Sequence, residues 1–227
     1  MKTILFNLTD GELEKFIADM GQPRFRAKQI REWLNRGASD FMSMKNIPES
    51  LRAELDKVAQ TLPVKIIKKL ESADGETTKF LLELNDGEQI ECVLMRTTYG
   101  NSVCVSSQAG CAMGCKFCAS GMDGLVRDLT PGEIIGQILA AEKDTGERIN
   151  HVVVMGTGEP FDNYDSLAGF LRLLHDPNGL NLSLRNITVS TCGLVPMIRR
   201  LKEEGLAITL ALSLHASTQE KRLSLTP

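Results

Sequence analysis

The sequence predicts an α/β fold in which a parallel sheet with covering helices follows a small helical domain. Three observations predict it: helical periodicity confined to residues 1–62, extended segments divided by Asp-Gly pairs over 63–100, and strand–helix alternation over 101–227. In the first part, Thr9 or Asp10 caps a helix to about Asp19, with Leu13, Phe16, Ile17 and Met20 on one face and Gly21 after it. Ile30, Trp33 and Leu34 keep helical spacing in a second helix over Ala27–Asn35 that Gly37 ends. Pro48 opens a third, carrying Leu51, Leu55 and Val58 and stopping before Pro63.

The middle part reads as a β meander connecting two domains, with strands Val64–Glu71, Thr78–Leu84 and Gln89–Met95 and hairpin signals at Asp74-Gly75 and Asp86-Gly87. Beyond it, Val103–Ser106, His151–Met155, Asn186–Thr191 and Ala207–Leu214 read as strands. Pro131–Asp144, Tyr164–Leu174 and Val195–Glu204 read as the helices between them. That alternation gives a parallel sheet, either an open doubly wound one or a barrel. Four parallel strands do not close a barrel, so a further βα unit is expected after Ser224-Leu225-Thr226-Pro227, and the sheet is expected to leave an open edge after Leu214 that favours association.

Composition bounds the function. Hydrophobic residues make up 42% of the chain and charged residues 24%, with no apolar run near the roughly 18 residues of a membrane span. The N-terminus carries no secretory signal, so a cytoplasmic protein with no membrane partner is expected. A net charge of −3 leaves nucleic-acid binding to a local patch, for which Arg24, Arg26, Lys28, Arg31 and Arg36 are the candidates; Arg24, Lys28 and Arg31 share a helix face.

The cysteines carry the chemistry. Cys104, Cys111, Cys115 and Cys118 are clustered, whereas Cys92 and Cys192 stand apart and read as packing thiols. Cys111-x3-Cys115-x2-Cys118 places three soft ligands on one tight loop, with Gly110 and Gly114 free to take backbone angles a side chain hinders. A structural zinc site needs a fourth protein ligand, and a ferredoxin uses four cysteines with a proline after the last, where Ala119 stands here. Three thiolates therefore point to a [4Fe–4S] cluster with one open iron, able to chelate the amino and carboxylate groups of S-adenosylmethionine. Phe117 precedes the last cysteine in the pattern C-x3-C-x-aromatic-C of the radical-SAM superfamily.

Other constellations gain meaning beside that loop. Val152–Met155 runs into Gly156-Thr157-Gly158-Glu159-Pro160, a buried strand ending in a glycine-rich turn and one carboxylate, the group that an α-ammonium requires. In 207–215, alternation puts Thr209, Ala211, Ser213 and His215 on a face expected to look into the barrel. Alone, His215 is a structural histidine, as are His151 and His175. Glu91 alone is a carboxylate on the exposed side of an edge strand, and Cys104 a buried strand thiol.

Together these residues resemble one family: the radical-SAM dual-specificity RNA methyltransferases that methylate adenine C2 in 23S ribosomal RNA and transfer RNA, with C8-methylating resistance enzymes as a sister group. The likeness covers nearly the whole chain. It is carried by Phe25-Arg26-Ala27-Lys28-Gln29-Ile30, Ile90-Glu91, Cys104-Val105-Ser106-Ser107-Gln108, the cluster loop, Met155–Pro160, Val189-Ser190-Thr191 and Ser213-Leu214-His215-Ala216. It implies a partial radical-SAM (β/α)6 barrel over 101–227, an RNA-binding helical domain over 1–62 and a flavodoxin- or ferredoxin-type electron donor.

The implied mechanism uses two molecules of S-adenosylmethionine. One methylates a cysteine near the family's C-terminus; the other is cleaved at the cluster, and its radical takes hydrogen from that methyl group. The carbon radical adds to adenine, a base removes the ring proton, and a second cysteine attacks the thioether to release product with a disulfide. By motif match Cys104 is that second cysteine and Glu91 the proton acceptor. Cys111, Cys115 and Cys118 hold the cluster, and Phe117, Gly158, Glu159, Ser190, Ser213, Leu214 and His215 match cofactor contacts. The methyl-carrying cysteine has no match before Pro227, so the chain is expected to be a fragment that binds cluster and cofactor without completing transfer. The competing readings are a non-methylating iron–sulfur module and a noncatalytic RNA-binding domain over 1–60.

Overall fold

The computed structural model describes residues 2–226. In chain order the elements are β1 (Thr3–Ile4), α1 (Asp10–Asp19), α2 (Phe25–Asn35), α3 (Glu49–Val58), β2 (Ala59–Gln60), β3 (Val64–Glu71), β4 (Thr77–Leu84), β5 (Gln89–Thr97), β6 (Gly100–Val105) and β7 (Gln108–Gly110). There follow β8 (Leu125–Asp128), α4 (Pro131–Thr145), β9 (His151–Val154), α5 (Tyr164–His175), β10 (Ile187–Thr191), α6 (Val195–Glu204), β11 (Thr209–Leu212) and α7 (Gln219–Leu225).

Local chemistry explains the principal helix starts. Thr9 and Glu12 form a reciprocal capping box at α1, and Thr130 and Glu133 form another at α4, where Pro131 adds a preset φ. Leu13 and Ile17 of α1, Ile30 and Leu34 of α2, and Leu51 and Leu55 of α3 are fully buried and form the N-terminal core. That core is continuous with the rest of the hydrophobic interior. The junction is tight: Asn7 Oδ1 accepts from Gly132 N at 2.8 Å, pinning the N-terminal segment to the start of α4.

One seven-stranded sheet dominates, in the order β11-β10-β9-β6-β5-β4-β3. Strands β6, β9, β10 and β11 are parallel, and β3 to β6 are antiparallel. The expected meander is therefore continuous with the parallel sheet: β5 pairs with β6, placing Val93 opposite Cys104.

The period-2 alternation of strands sorts the two faces. Phe80, Leu82, Ile90, Leu94, Val103, Val105, Val152, Val154 and Val189 are buried on the face covered by helices. Burying each such side chain contributes roughly 1.5–3 kcal/mol before entropy is counted. The opposite face carries Glu91, Val93, Cys104, Val153, Thr188 and Ser190, all half-buried or exposed. Register makes them neighbours, since Cys104 pairs with both Val93 and Val153, and Val153 also with Thr188.

Several expectations are corrected. The last strand is shorter than predicted, Thr209–Leu212 where 207–214 was expected, and beyond it His215 takes φ 58°. Leu210, Leu212 and Leu214 are exposed, so β11 is an open edge with its apolar side uncovered. Arg31 is not part of a solvated basic face: it is only 7% exposed, and its guanidinium donates to Asp10 Oδ1 at 3.0 Å and to the Leu8 carbonyl. Arg24, Lys28 and Arg36 remain exposed. The β7–β8 hairpin and α7, which Thr218 caps, were not expected; both are too short for periodicity to register.

Candidate cluster and cofactor site

The site is built on Ser106, Ser107 and Gln108, three consecutive polar residues that are at most 1% exposed. Buried polar groups need partners. Gln137 of α4 supplies two, accepting from Ser106 N at 2.9 Å and donating to Ser106 O at 2.8 Å. Ser106 Oγ donates to the Glu91 carbonyl and accepts from Thr157 N, while Ser107 N and Gln108 N both donate to Thr157 O. The glycine-rich turn is thereby laid against the segment leading into the cysteine loop. Gly158 lies at φ 105°, and a Cβ there would sit 2.6 Å from Gln108 Cβ, so this approach excludes every side chain.

Gly110 reverses the chain at φ 75°, and Cys111 N then donates to Gly124 O at 2.9 Å, closing the loop at the β7–β8 hairpin. Arg127 of β8 fixes that hairpin, bonding Asp86 Oδ2 on one side and both oxygens of the nearly buried Glu133 on the other. Cys111, Cys115 and Cys118 all line one open cavity of about 360 Å³. That volume lies in the range of small-ligand pockets. Burial pushes the Cys111 and Cys115 thiols up from their ordinary range, the neighbouring cysteines and Glu159 adding to the rise.

Glu159 lies across the same cavity and is only 5% exposed. Its Oε1 accepts from Phe161 N at 3.0 Å and its Oε2 from Cys192 N at 2.8 Å. Among the described residues no cationic side chain pairs with it. A buried carboxylate that accepts from two amides and has no cationic partner among the described residues leaves lone pairs for a cation that enters the cavity.

The other expected residues divide. Gly158, Ser190, Ser213, His215 and Phe117 line the cavity. Ser190 Oγ and Ser213 Oγ are 3.0 Å apart, and the Phe117 ring lies 4.6 Å from that of His215. Leu214 is 54% exposed and outside the lining. Glu91 is also outside it, on the same sheet face as Cys104, with Oε1 2.5 Å from Lys79 Nζ. Cys104 is half-buried, and burial raises its thiol.

Cys192, expected to be a packing thiol, lines the cavity instead. Its Sγ lies 3.5 Å from Met113 Sδ in the cysteine loop, its carbonyl accepts from Arg222, and burial followed by the charge of Glu159 pushes its thiol up to about 12. Its position directly after β10, beside Ser190-Thr191, was the available signal. Cys92 is fully buried on the helix-covered face, as expected. All six cysteines are free thiols.

A parallel-stranded half-barrel with three thiols on the loop after its first parallel strand and a buried carboxylate after its second defines a radical-SAM protein. Residues 105–226 match the Radical SAM superfamily, and the chain belongs to it. Residues 3–61 match the ribosomal RNA large subunit methyltransferase N-terminal domain. A protein of Clostridium acetobutylicum named probable dual-specificity RNA methyltransferase RlmN is 50% identical over all of this chain and 66% of its own length. One of the same name from Symbiobacterium thermophilum is 53% identical over 95% of this chain and 59% of its own length. The crystal structure of a radical SAM methyltransferase from Sphaerobacter thermophilus superposes with a TM-score of 0.94 at 44% identity, covering 99% of this chain and 67% of that one. The chain thus spans 59–66% of the length of these two curated relatives.

The superfamily uses a [4Fe–4S] cluster and S-adenosylmethionine, and the residues fit both. Among the described residues no three His, Cys, Asp or Glu side chains converge on one metal ion. Three thiols on one loop, all lining one cavity, suit the corners of a cubane. The unpaired, buried Glu159 suits an ammonium. No helix among the described residues is long and apolar enough to cross a membrane.

Proposed function

We propose that this chain forms the cluster- and cofactor-binding part of a methyltransferase acting on adenine C2 of 23S ribosomal RNA and transfer RNA. The observation that carries the reading is the buried carboxylate of Glu159, unpaired with any cationic side chain among the described residues and facing the cavity that Cys111, Cys115 and Cys118 line. In this reading those three cysteines hold a [4Fe–4S] cluster and leave one iron open. When bound and reduced, the cluster supplies the electron that cleaves the sulfonium of S-adenosylmethionine to a 5′-deoxyadenosyl radical.

The protein binds and orients. Glu159 receives the α-ammonium, Gly158 lets the backbone approach, and Ser190 and Ser213 offer hydroxyls along the cavity wall. Phe117 and His215 form its aromatic end, against which a purine can stack. Cys104 and Glu91 act on the substrate side. Both project from the open sheet face, where Glu91 would take the proton from the adenine ring carbon. The Cys104 thiolate would attack the thioether sulfur of the family's methyl-carrying cysteine, forming the disulfide as the sulfur–carbon bond breaks and the released carbon takes up a proton. Lys79 Nζ, 2.5 Å from Glu91 Oε1, holds the carboxylate in place on that face.

Residues 1–62 form the RNA-contacting domain, 63–100 the connector and 101–227 the partial barrel. A flavodoxin- or ferredoxin-type protein supplies electrons, and the setting is cytoplasmic. The test is anaerobic incubation of the reconstituted, dithionite-reduced chain with S-adenosylmethionine. Formation of 5′-deoxyadenosine is expected, and it should vanish when Cys115 is replaced by Ala; a reduced cluster that never cleaves the cofactor contradicts the reading.

A further inference from the structure

Gln108 is fully buried, outside the cofactor cavity's lining, and its side chain reaches three residues in two segments, β8 and the turn after β9. Its Oε1 accepts from Glu159 N at 2.8 Å. Its Nε2 donates to Asp128 Oδ1 at 2.7 Å and to Asp162 Oδ2 at 3.1 Å. Asp128 closes β8, the return strand of the hairpin that carries the cysteine loop, and pairs with Gln108 across it. Asp162 lies three residues beyond Glu159, and its N donates to the Glu159 carbonyl at 3.1 Å. One amide thus ties the hairpin beneath the three thiols to the peptide that presents the carboxylate.

No other residue type supplies this set at the same length. The side chain must accept from an amide at one atom and donate to two carboxylates at another, which only a carboxamide does. Asn falls a methylene short, and Glu offers acceptors alone and places a third negative charge between Asp128 and Asp162. Bonds to charged groups are the stronger class, and a buried group left unpaired costs more than a lost exposed contact.

We infer that Gln108 is a positioning residue that sets the distance between the cluster loop and Glu159, and so determines whether S-adenosylmethionine can reach the open iron and the carboxylate together. The inference rests on the reading of Glu159 as the ammonium partner. Without the Gln108 side chain, Arg127–Glu133 still fastens the hairpin and Thr157 O still accepts from Ser107 N and Gln108 N, so the fold survives. The Glu159 peptide itself and Asp162 lose their tie to β8, and the carboxylate's spacing from the cluster loop loosens.

The test compares the reconstituted wild-type chain, Gln108→Glu, and Gln108→Glu combined with Asp128→Asn and Asp162→Asn, which restores complementarity by giving two amide donors to one carboxylate. Iron content, the electron paramagnetic resonance of the reduced cluster with and without S-adenosylmethionine, and cofactor affinity are read for each. The single variant is expected to load iron like wild type yet bind the cofactor about tenfold or more weakly, with the spectral response lost in proportion. The triple variant is expected to recover most of both. Equal affinity in the single variant, or a triple variant no better than the single, overturns the inference. A wild-type spectrum indifferent to the cofactor would instead overturn the underlying reading of the site.

Discussion

The backbone N–H of Cys192 donates to Glu159 Oε2 at 2.8 Å, joining the loop after β10 to the loop after β9 across the mouth of the cavity. With Phe161 N on the other oxygen, the carboxylate is aimed by two amides and neutralised by none of the described side chains. Replacing it by Glu159→Gln keeps the shape and removes the charge. Cofactor binding should weaken about ten- to a hundredfold, the cost of a charge-assisted bond, while iron loading is unchanged. Equilibrium binding to the reconstituted chain checks this.

The same pair predicts a pH effect. Burial and the charge of Glu159 raise the Cys192 thiol to about 12, so in the cluster-free chain it stays protonated at pH 8. A raised thiol pKa means less thiolate at any given pH, hence slower alkylation than a free thiol. Glu159→Gln removes part of the cause, lowers that pKa and should speed labelling at fixed pH. Time-resolved mass spectrometry with iodoacetamide gives the rates; a Cys192 that reacts as fast as glutathione would contradict the stated cause.

At Gly158, φ is 105° and a side-chain carbon would meet Gln108 Cβ at 2.6 Å. Gly158→Ala combines left-handed strain with a contact between two fixed backbones. It should cost about 2 kcal/mol or more of folding stability, and urea denaturation of the cluster-free chain measures it.

The cap of α4 and the fastening of the cluster hairpin share one residue. Glu133 closes the box with Thr130 and holds Arg127, whose own pKa its carboxylate raises. Thr130→Ala removes only the cap and should cost about 1 kcal/mol. Glu133→Ala also removes the bidentate partner of Arg127, leaving it Asp86 alone, and should cost about 2 kcal/mol, with the cysteine loop loosening. Urea denaturation and hydrogen exchange at Cys111 N, which is bonded to Gly124 O, would separate the two effects.

Much of this arrangement is legible in the sequence, for a physical reason. Cys111-x3-Cys115-x2-Cys118 and Gly158-Glu159 lie on single loops, where spacing along the chain is spacing in space, and strands such as Val152–Val154 announce themselves by an unbroken β-branched run. Glu91 and Cys104 reach the same face because both strands alternate, a relation that follows once their pairing is known. The role of Cys192 is hidden in the sequence because its neighbours Met113 and Glu159 are distant along the chain. Helical spacing aligns Arg31 with Arg24 and Lys28 but does not say that Asp10, from another helix, pairs with it. The value of Gln108 lies in where the two ends of its amide go, and those partners come from β8 and the turn after β9.

The central claim is that three thiolates and one buried carboxylate share a cavity so that one small molecule engages both. Electron paramagnetic resonance of the reduced, reconstituted chain titrated with S-adenosylmethionine tests it most directly. The account predicts a saturable shift of the cluster's g-values that is lost in Glu159→Gln at the same cofactor concentration. A spectrum that is identical with and without the cofactor, in a chain shown by iron and sulfide analysis to be fully loaded, would contradict it.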